Sequence, residues 1–303
     1  MKRYLYYPGC SLRGTGKAYE ESLLAVFKAL DVELEELDDW NCCGATAYMS
    51  IDEVSSFALA GRNLAMAEQK NLDLLAPCSA CFLVLNKAQR YIKEYPKVAQ
   101  TLEHGFKAAG LQYKGTVKVR HPLDVLTNDV GMERIKARIK TPLTGLKVAP
   151  YYGCQIVRPY ATFDQMYYPV TMDKLLRAAG AEVVDYPLKT RCCGGSQKGT
   201  LPEVGLSLIH ILLKEARRRE AQIVSTICPL CQFNLDAFQE EASRKYGEIS
   251  MPVVYFTQLL GLAFGFTPKA LGLERNIVPA KPTLARFAGT IVDKGQIPAT
   301  MGN

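Results

Sequence analysis

Histidine is scarce in this 303-residue chain: His104, His121 and His210 are the only three. They follow no common spacing, so a metal site built on paired imidazoles is excluded, and each reads as a surface or packing residue. Long hydrophobic runs are missing too. The longest uncharged apolar stretch, 253–267, contains Gln258 and several glycines and falls short of the ~20 residues that a membrane-spanning helix needs. The opening MKRYLYYPGC has two basic residues but no apolar run before Pro8, so no secretory signal is read there and a soluble, cytoplasmic protein is expected. Flavin and NAD fingerprints are absent. The fragment RGTGKAYE at 13–20 lacks the spacing of a phosphate loop, with Lys17 preceding alanine, and reads as a loop-to-helix turn. The net charge of +7 comes with no zinc-finger or RNA-recognition signature. Consecutive Arg217, Arg218 and Arg219 fan around a helix and read as a solvated helix end, not a nucleic-acid surface.

Cysteine is the opposite case. Ten cysteines at repeated spacings in a chain read as cytosolic point to metal binding or redox chemistry, not to a disulfide framework. They form two sets of five: Cys10, Cys42, Cys43, Cys78, Cys81, then Cys154, Cys192, Cys193, Cys228, Cys231. In the first set 31 residues separate Cys10 from Cys42-Cys43-Gly44, and 33 more lead to Cys78-x-x-Cys81. In the second, 37 separate Cys154 from Cys192-Cys193-Gly194, and 33 more lead to Cys228-x-x-Cys231. Local context repeats as well, YYPGC against YYGC, so the chain is an internal duplication of about 145 residues.

Each repeat alternates strand-like runs with helical patterns. RYLYYP, VELEEL and LDLLAP precede the first set of cysteines; LKVAPYY, AEVVDYP and AQIVSTI precede the second. Helices are expected over 16–30, 52–70 and 79–95, then 169–179, 202–219 and 229–246. This alternation predicts an α/β fold of two pseudo-symmetric repeats with Rossmann-like parallel sheets. The expected divisions are 1–140, 141–266 and a C-terminal extension, 267–303. Every cysteine group is expected in a loop at a strand's carboxyl end, at or near a helix start. Such loops gather on one edge of an open sheet, where distant residues converge, and helix N-termini there stabilise thiolates.

A structural zinc site takes four ligands, usually two Cys-x-x-Cys pairs; five thiolates per unit exceed that. Soft thiolates also select iron–sulfur clusters, which fit better. The compact Cys-x-x-Cys-x-x-Cys run common in ordinary cubane sites is absent, and an adjacent pair suggests two neighbouring sulfurs serving different irons or one bridging two irons. Gly44 and Gly194 permit positive φ and close backbone approach to an inorganic core.

The doubled pattern resembles the B subunit of heterodisulfide reductase and the wider Cys-Cys-Gly domain iron–sulfur family, including the heterodisulfide-reductase-like form of sulfur-oxidising prokaryotes. The resemblance covers roughly residues 1–270 and extends to KGTVKVRHPLDVL and VVYFTQLLGLAFGF. It implies two noncubane 4Fe–4S clusters, held by Cys10, Cys42, Cys43, Cys78 and Cys81 and by Cys154, Cys192, Cys193, Cys228 and Cys231. It implies a catalytic role, the cleavage or formation of a small-molecule or protein-bound disulfide within a larger complex. Two one-electron clusters facing one pocket would match a bond with two sulfurs. Electrons would come from a small cubane iron–sulfur protein of the C type and a flavoprotein of the A type, both partners in that complex. A non-catalytic relay to quinone or another carrier is the alternative, and a zinc-stabilised scaffold a third reading. Arg13, Lys17 and Lys198 lie near cysteine loops and are candidates to attract an anionic substrate. The Pro/Gly-bearing 267–303 segment reads as an arm on a partner or as a disordered tail.

Overall fold

The computed structural model describes residues 2–45 and 47–292. Among these residues eight strands follow the chain in two groups of four. The first group is β1 (Lys2–Tyr6), β2 (Val32–Glu36), β3 (Leu74–Leu75) and β4 (Val119–Arg120). The second is β5 (Lys147–Tyr151), β6 (Glu182–Val183), β7 (Ile223–Thr226) and β8 (Val253–Tyr255). Each group forms its own sheet, ordered β2-β1-β3-β4 and β6-β5-β7-β8, and every pairing is parallel. The duplication read from cysteine spacing is therefore a duplication of fold. In both sheets the chain moves one way from the first strand to the second and the other way to the third. That reversal leaves a crevice at the carboxyl ends of the first and third strands.

The helices begin and end where local chemistry demands. Asp52 caps the helix Glu53–Gln69, accepting from the Ser55 amide at 3.1 Å and from its hydroxyl at 2.6 Å. The helix Pro202–Arg218 opens on proline, whose missing N–H costs nothing in the first turn. Its basic end is internally paired: Glu215 takes Arg218 at 2.7 Å and Arg219 at 2.9 Å, which agrees with a solvated helix end.

Three elements differ from expectation. The helix expected over 229–246 is two, Pro229–Ala237 and Gln239–Tyr246. The break lets the Gln239 side chain turn inward, donating to the Leu235 and Met251 carbonyls and accepting from the Met251 amide. The helix Ser79–Glu94 is followed at once by another, Pro96–Ala108; Tyr95 is held extended by the following proline and separates them. The third difference is the segment from residue 267, expected as an arm or a disordered tail. As far as Val292 it packs on its own chain, burying Ala270, Leu271, Leu284 and Phe287. Its backbone joins Gly265 and Thr267 through Ile291, and Arg275 pairs with Glu21 of the first repeat at 2.8 Å. Residues 293–303 lie outside the described residues.

One buried cluster spans both repeats and includes Leu5, Phe27, Tyr152, Leu259 and Leu284; a smaller one, with Tyr186, Ile209 and Val253, lies within the second repeat. The helix Lys17–Ala29 of the first repeat packs on Phe256–Ala263 of the second. There Tyr19 stacks on Tyr255 with ring centroids 4.4 Å apart, and the Ser22 and Thr257 hydroxyls meet at 2.6 Å.

Candidate metal centre

The strands deliver the cysteines to one edge. Cys10 follows β1 on the short helix Gly9–Arg13, and Cys42-Cys43 follows β2 by a five-residue loop, 37–41. Cys78 and Cys228 occupy the same position in each repeat, the N-cap of the helix after the third strand, with Cys81 and Cys231 in its first turn. Cys154 and Cys192-Cys193 depart from the expected placement. No helix begins beside them; the next ones start at Thr171 and Pro202. Glycine and proline around these cysteines break helical continuation, and side-chain hydrogen bonds hold their loops instead.

Exposure is distributed alike in both repeats. Cys43, Cys78, Cys81, Cys193, Cys228 and Cys231 are buried, whereas Cys10 and Cys42 are exposed and Cys154 and Cys192 intermediate. The Cys-x-x-Cys pair and the second member of the adjacent pair thus form the floor of each set. The lone cysteine and the first member form its rim.

The sulfurs are crowded. Cys43 Sγ lies 3.2 Å from Cys81 Sγ, Cys81 also meets Cys78, and Cys42 meets Cys43. The second repeat runs Cys154, Cys192, Cys193, Cys231, Cys228 by the same kind of neighbour contact. Cys78 and Cys228 face each other across the repeats, each acting on the other's thiol, and so join the two lines of thiols. Hydrogen bonds from Cys154 and Cys193 hold the Cys192 thiol down to about 2. The bond with Cys192 in turn pushes Cys193 up to about 12. Cys43 is likewise lowered by its bond from Cys42, and Cys228 by those from Cys231 and Cys78. So many sulfurs within a few ångströms cannot all ionise unless a positive core neutralises them.

A matching framework surrounds both sets. Tyr7 donates its hydroxyl to the Asn41 carbonyl at 2.8 Å, and Tyr151 donates to the Arg191 carbonyl at 2.6 Å. Each tyrosine stands three residues before a lone cysteine, and each bond grips the residue just before a Cys-Cys pair. Gly9 and Gly153, at φ 63° and 71°, lie so close to the Cys-x-x-Cys floor that an added Cβ would sit 3.2 Å from Cys81 Sγ and 3.1 Å from Cys231 Sγ. Gly44 and Gly194 have the expected positive φ, 76° and 82°. Their close approach is to the following helix, at Ser56 and Gly205. Asn234 holds the Cys193 carbonyl at 2.7 Å. A buried ion pair, Lys189 to Asp173 at 2.7 Å, anchors the loop before Cys192, and the Lys189 carbonyl takes the amides of Tyr152 and Gly153 before Cys154.

His121 is fully buried, and burial lowers its pKa to about 4, so the ring is neutral. Its Nδ1 accepts from the Leu123 amide at 3.1 Å, which leaves Nε2–H to donate to the Pro77 carbonyl at 3.0 Å, directly before Cys78. It also faces the Ile227 backbone, directly before Cys228. The packing role read for this histidine therefore ties together two cysteine loops. His210 packs beside Tyr246, 5.8 Å between ring centroids. The three cations singled out as substrate attractors are engaged within the protein: Arg13 and Lys17 with Glu20, and Lys198 with Glu241 at 3.1 Å.

The donor set can be tested against its expected occupant. Among the described residues no three His, Cys, Asp or Glu side chains converge as ligands of one metal ion; the thiols run in two lines of neighbours, soft donors of the kind that iron–sulfur clusters take. Among the described residues three fully buried hydroxyls have no hydrogen-bond partner in the protein: Tyr19 Oη, on which Cys228 and Cys78 act electrostatically, Ser79 Oγ, of the residue after Cys78, and Thr226 Oγ1, two residues before Cys228. Donors left over beside thiolates suit a sulfide-bearing group. The residues fit iron–sulfur ligation.

Comparison with known proteins follows the same division. The cysteine-rich domain family, CCG, matches residues 4–86 and again 148–236. The 8-methylmenaquinol:fumarate reductase membrane anchor subunit of Wolinella succinogenes is 35% identical over 284 residues, 92% of this chain and 98% of that protein. The B subunit of the ferredoxin/F(420)H(2)-dependent CoB-CoM heterodisulfide reductase of Methanosarcina acetivorans is 33% identical over 294 residues, 95% of this chain and 97% of that protein. A protein of Archaeoglobus profundus that resembles the heterodisulfide reductase B subunit is 33% identical over 278 residues, 89% of this chain and 93% of its own length. A hypothetical protein of Helicobacter pylori shares the fold at 13% identity, with a TM-score of 0.73 over 91% of this chain and 52% of that one. No helix among the described residues is long and apolar enough to cross a membrane. The chain belongs to the cysteine-rich Cys-Cys-Gly domain family, carries its domain twice, and is a relative of the heterodisulfide reductase B subunit over nearly its whole length.

Proposed function

We propose that this chain is the iron–sulfur catalytic subunit of a heterodisulfide reductase or heterodisulfide-reductase-like complex, cleaving or forming a disulfide at two noncubane 4Fe–4S clusters. The observation that carries the reading is the Cys78–Cys228 contact, which brings two five-cysteine sets together at the seam between the repeats. Cys10, Cys42, Cys43, Cys78 and Cys81 would hold one cluster; Cys154, Cys192, Cys193, Cys228 and Cys231 would hold the other. When bound, such clusters supply one-electron chemistry twice and iron to receive sulfur, matching a reaction in which a disulfide takes two electrons and two protons to give two thiols. The chain's own residues do the positioning. Tyr7 and Tyr151 fix the Cys-Cys loops, and the helices behind Cys78 and Cys228 aim their N-terminal amides at the floor sulfurs. Cys10, Cys42, Cys154 and Cys192 form the accessible rim where a substrate sulfur approaches.

No flavin or nicotinamide fingerprint exists in the chain, so electrons come from partners: a small cubane iron–sulfur protein of the C type and, beyond it, a flavoprotein of the A type, in the cytoplasm. The names of the methanogen relatives as heterodisulfide reductase subunits support this arrangement. A second reading has its own support. The 35% identity to a fumarate reductase subunit favours a relay that passes electrons to or from quinone without acting on a disulfide. Electron paramagnetic resonance of the anaerobically purified chain separates the two. Noncubane signals that change when a thiol or disulfide is added are expected for catalysis. Signals indifferent to both mean a relay, and stoichiometric zinc in place of iron contradicts both.

A further inference from the structure

Among the described residues, Tyr19 is the one fully buried tyrosine whose phenol has no partner in the protein; the half-buried Tyr113 is the other unpartnered phenol. Tyr19, on the helix Lys17–Ala29, is fully buried, stacked on Tyr255 and packed edge-on against Phe256 at 6.1 Å. The other fully buried tyrosines all find protein partners. Tyr6 donates to Glu20, Tyr7 and Tyr151 to backbone carbonyls, Tyr152 to Asp173, Tyr186 to the Leu212 carbonyl and Tyr255 to Gln232. Tyr19 Oη has none. A buried hydroxyl without a partner loses its hydration with nothing in return, and phenylalanine would fill the same ring slot without that loss.

The helix that carries Tyr19 begins against the cysteine seam: an added Cβ at Gly16, whose carbonyl takes the Tyr19 amide, would sit 2.9 Å from Pro229 Cβ, directly after Cys228. Cys228 and Cys78 both act electrostatically on Tyr19, and the same two act on Tyr255, its stacking partner. These are the cysteines that touch across the repeats. Two further buried hydroxyls without partners flank the spot in sequence: Ser79, directly after Cys78, and Thr226, two residues before Cys228. O–H donors left unanswered beside cysteines in sequence are what hydrogen-bonded thiolates or sulfides need.

We propose that Tyr19 donates a hydrogen bond to sulfur at the Cys78–Cys228 seam, as a positioning residue that raises the reduction potential of the centre these cysteines hold; the inference rests on the iron–sulfur reading above. A hydrogen bond to cluster sulfur stabilises the more negative, reduced state. Tyr19→Phe removes only the oxygen and keeps the stacked ring.

The test uses the full chain, purified anaerobically, as wild type and Tyr19→Phe. It combines iron analysis, a redox titration followed by electron paramagnetic resonance, and thermal unfolding of both iron-free proteins. The expected result is unchanged iron, at least one centre titrating at a more negative potential in Tyr19→Phe, and an iron-free variant that melts no lower than wild type. Superimposable titrations overturn the inference. So does an iron-free variant that melts lower, since the hydroxyl would then have a partner within the protein. Loss of iron from Tyr19→Phe overturns the tuning role, because the oxygen would be needed for loading. Wild type without iron–sulfur signals overturns the reading beneath it, and is recognised before any variant is compared.

Discussion

Gly153 shows how tightly single residues are bound to the cysteine floor. An added Cβ there meets Cys231 Sγ at 3.1 Å, and the backbone sits at φ 71°, where side chains are strained. Gly153→Ala is expected to cost about 1–2 kcal/mol in unfolding free energy and to lower iron in the second set. Denaturant unfolding and iron analysis check both effects; an unchanged iron content would show that the floor tolerates displacement. At this scale the ten cysteines were legible, because spacing repeats survive in a linear string. Tyr7 and Tyr151 were visible only as a repeated context around the lone cysteines. Their hydrogen bonds reach carbonyls 34 and 40 residues away, which no local pattern encodes. His121 was read as packing because its significance lies in the two loops it faces, and those loops come from different repeats.

Among the elements, the buried pair of Lys189 and Asp173 is the clearest stake. Lys189 Nζ also donates to the Pro169 carbonyl at 3.0 Å, and Tyr152 donates to the other Asp173 oxygen at 2.6 Å. Removing one partner leaves an uncompensated buried charge, at a cost of roughly 3–5 kcal/mol. Lys189→Met is therefore expected to lower the melting temperature sharply, while Lys189→Met with Asp173→Leu recovers part of the loss. A single variant that melts like wild type would contradict this.

A second cluster fixes β4. Arg120 binds Asp124 at 2.5 Å and Asp129 at 3.0 Å. Burial alone would raise the Asp129 carboxyl, but hydrogen bonds from Arg120 and Tyr4 hold it below the usual range. A lowered carboxylate contributes stability that is present above its unfolded value, about 3.9, and is lost as pH falls through the folded one. Melting temperature should therefore drop more steeply below about pH 4 in wild type than in Asp129→Asn, and parallel curves would refute it. The fourth strand of each sheet escaped sequence reading for a physical reason. β4 has two residues before Pro122 starts a helix, and β8 merges without a polar break into the apolar helix Phe256–Ala263.

For the whole molecule, duplication and packing have one consequence. The two sheets share order and direction, so both sets of thiols lie at corresponding strand ends. The common core fixes the repeats against each other, with Cys78 touching Cys228 at the seam. The segment from 267 to 292 strengthens that union by tying Arg275 to Glu21 and by placing the Ile277 and Val278 amides on Asp236. Its apolar residues carry too little period to announce a docking face, which is why composition suggested an arm. The fold class and repeat were readable from strand–helix alternation and cysteine spacing. The seam was not, because it is built from contacts between residues 150 positions apart.

On the proposed reading, one chain holds two separate five-cysteine cages, each loading its own iron–sulfur cluster. The decisive measurement is iron per chain in anaerobically reconstituted wild type, Cys43→Ser and Cys193→Ser, taken together. The expected result is about eight irons in wild type and about four in each single variant, with a different half of the resonance spectrum surviving in each. Iron that stays at the wild-type level in either variant, or zinc in its place, would contradict it.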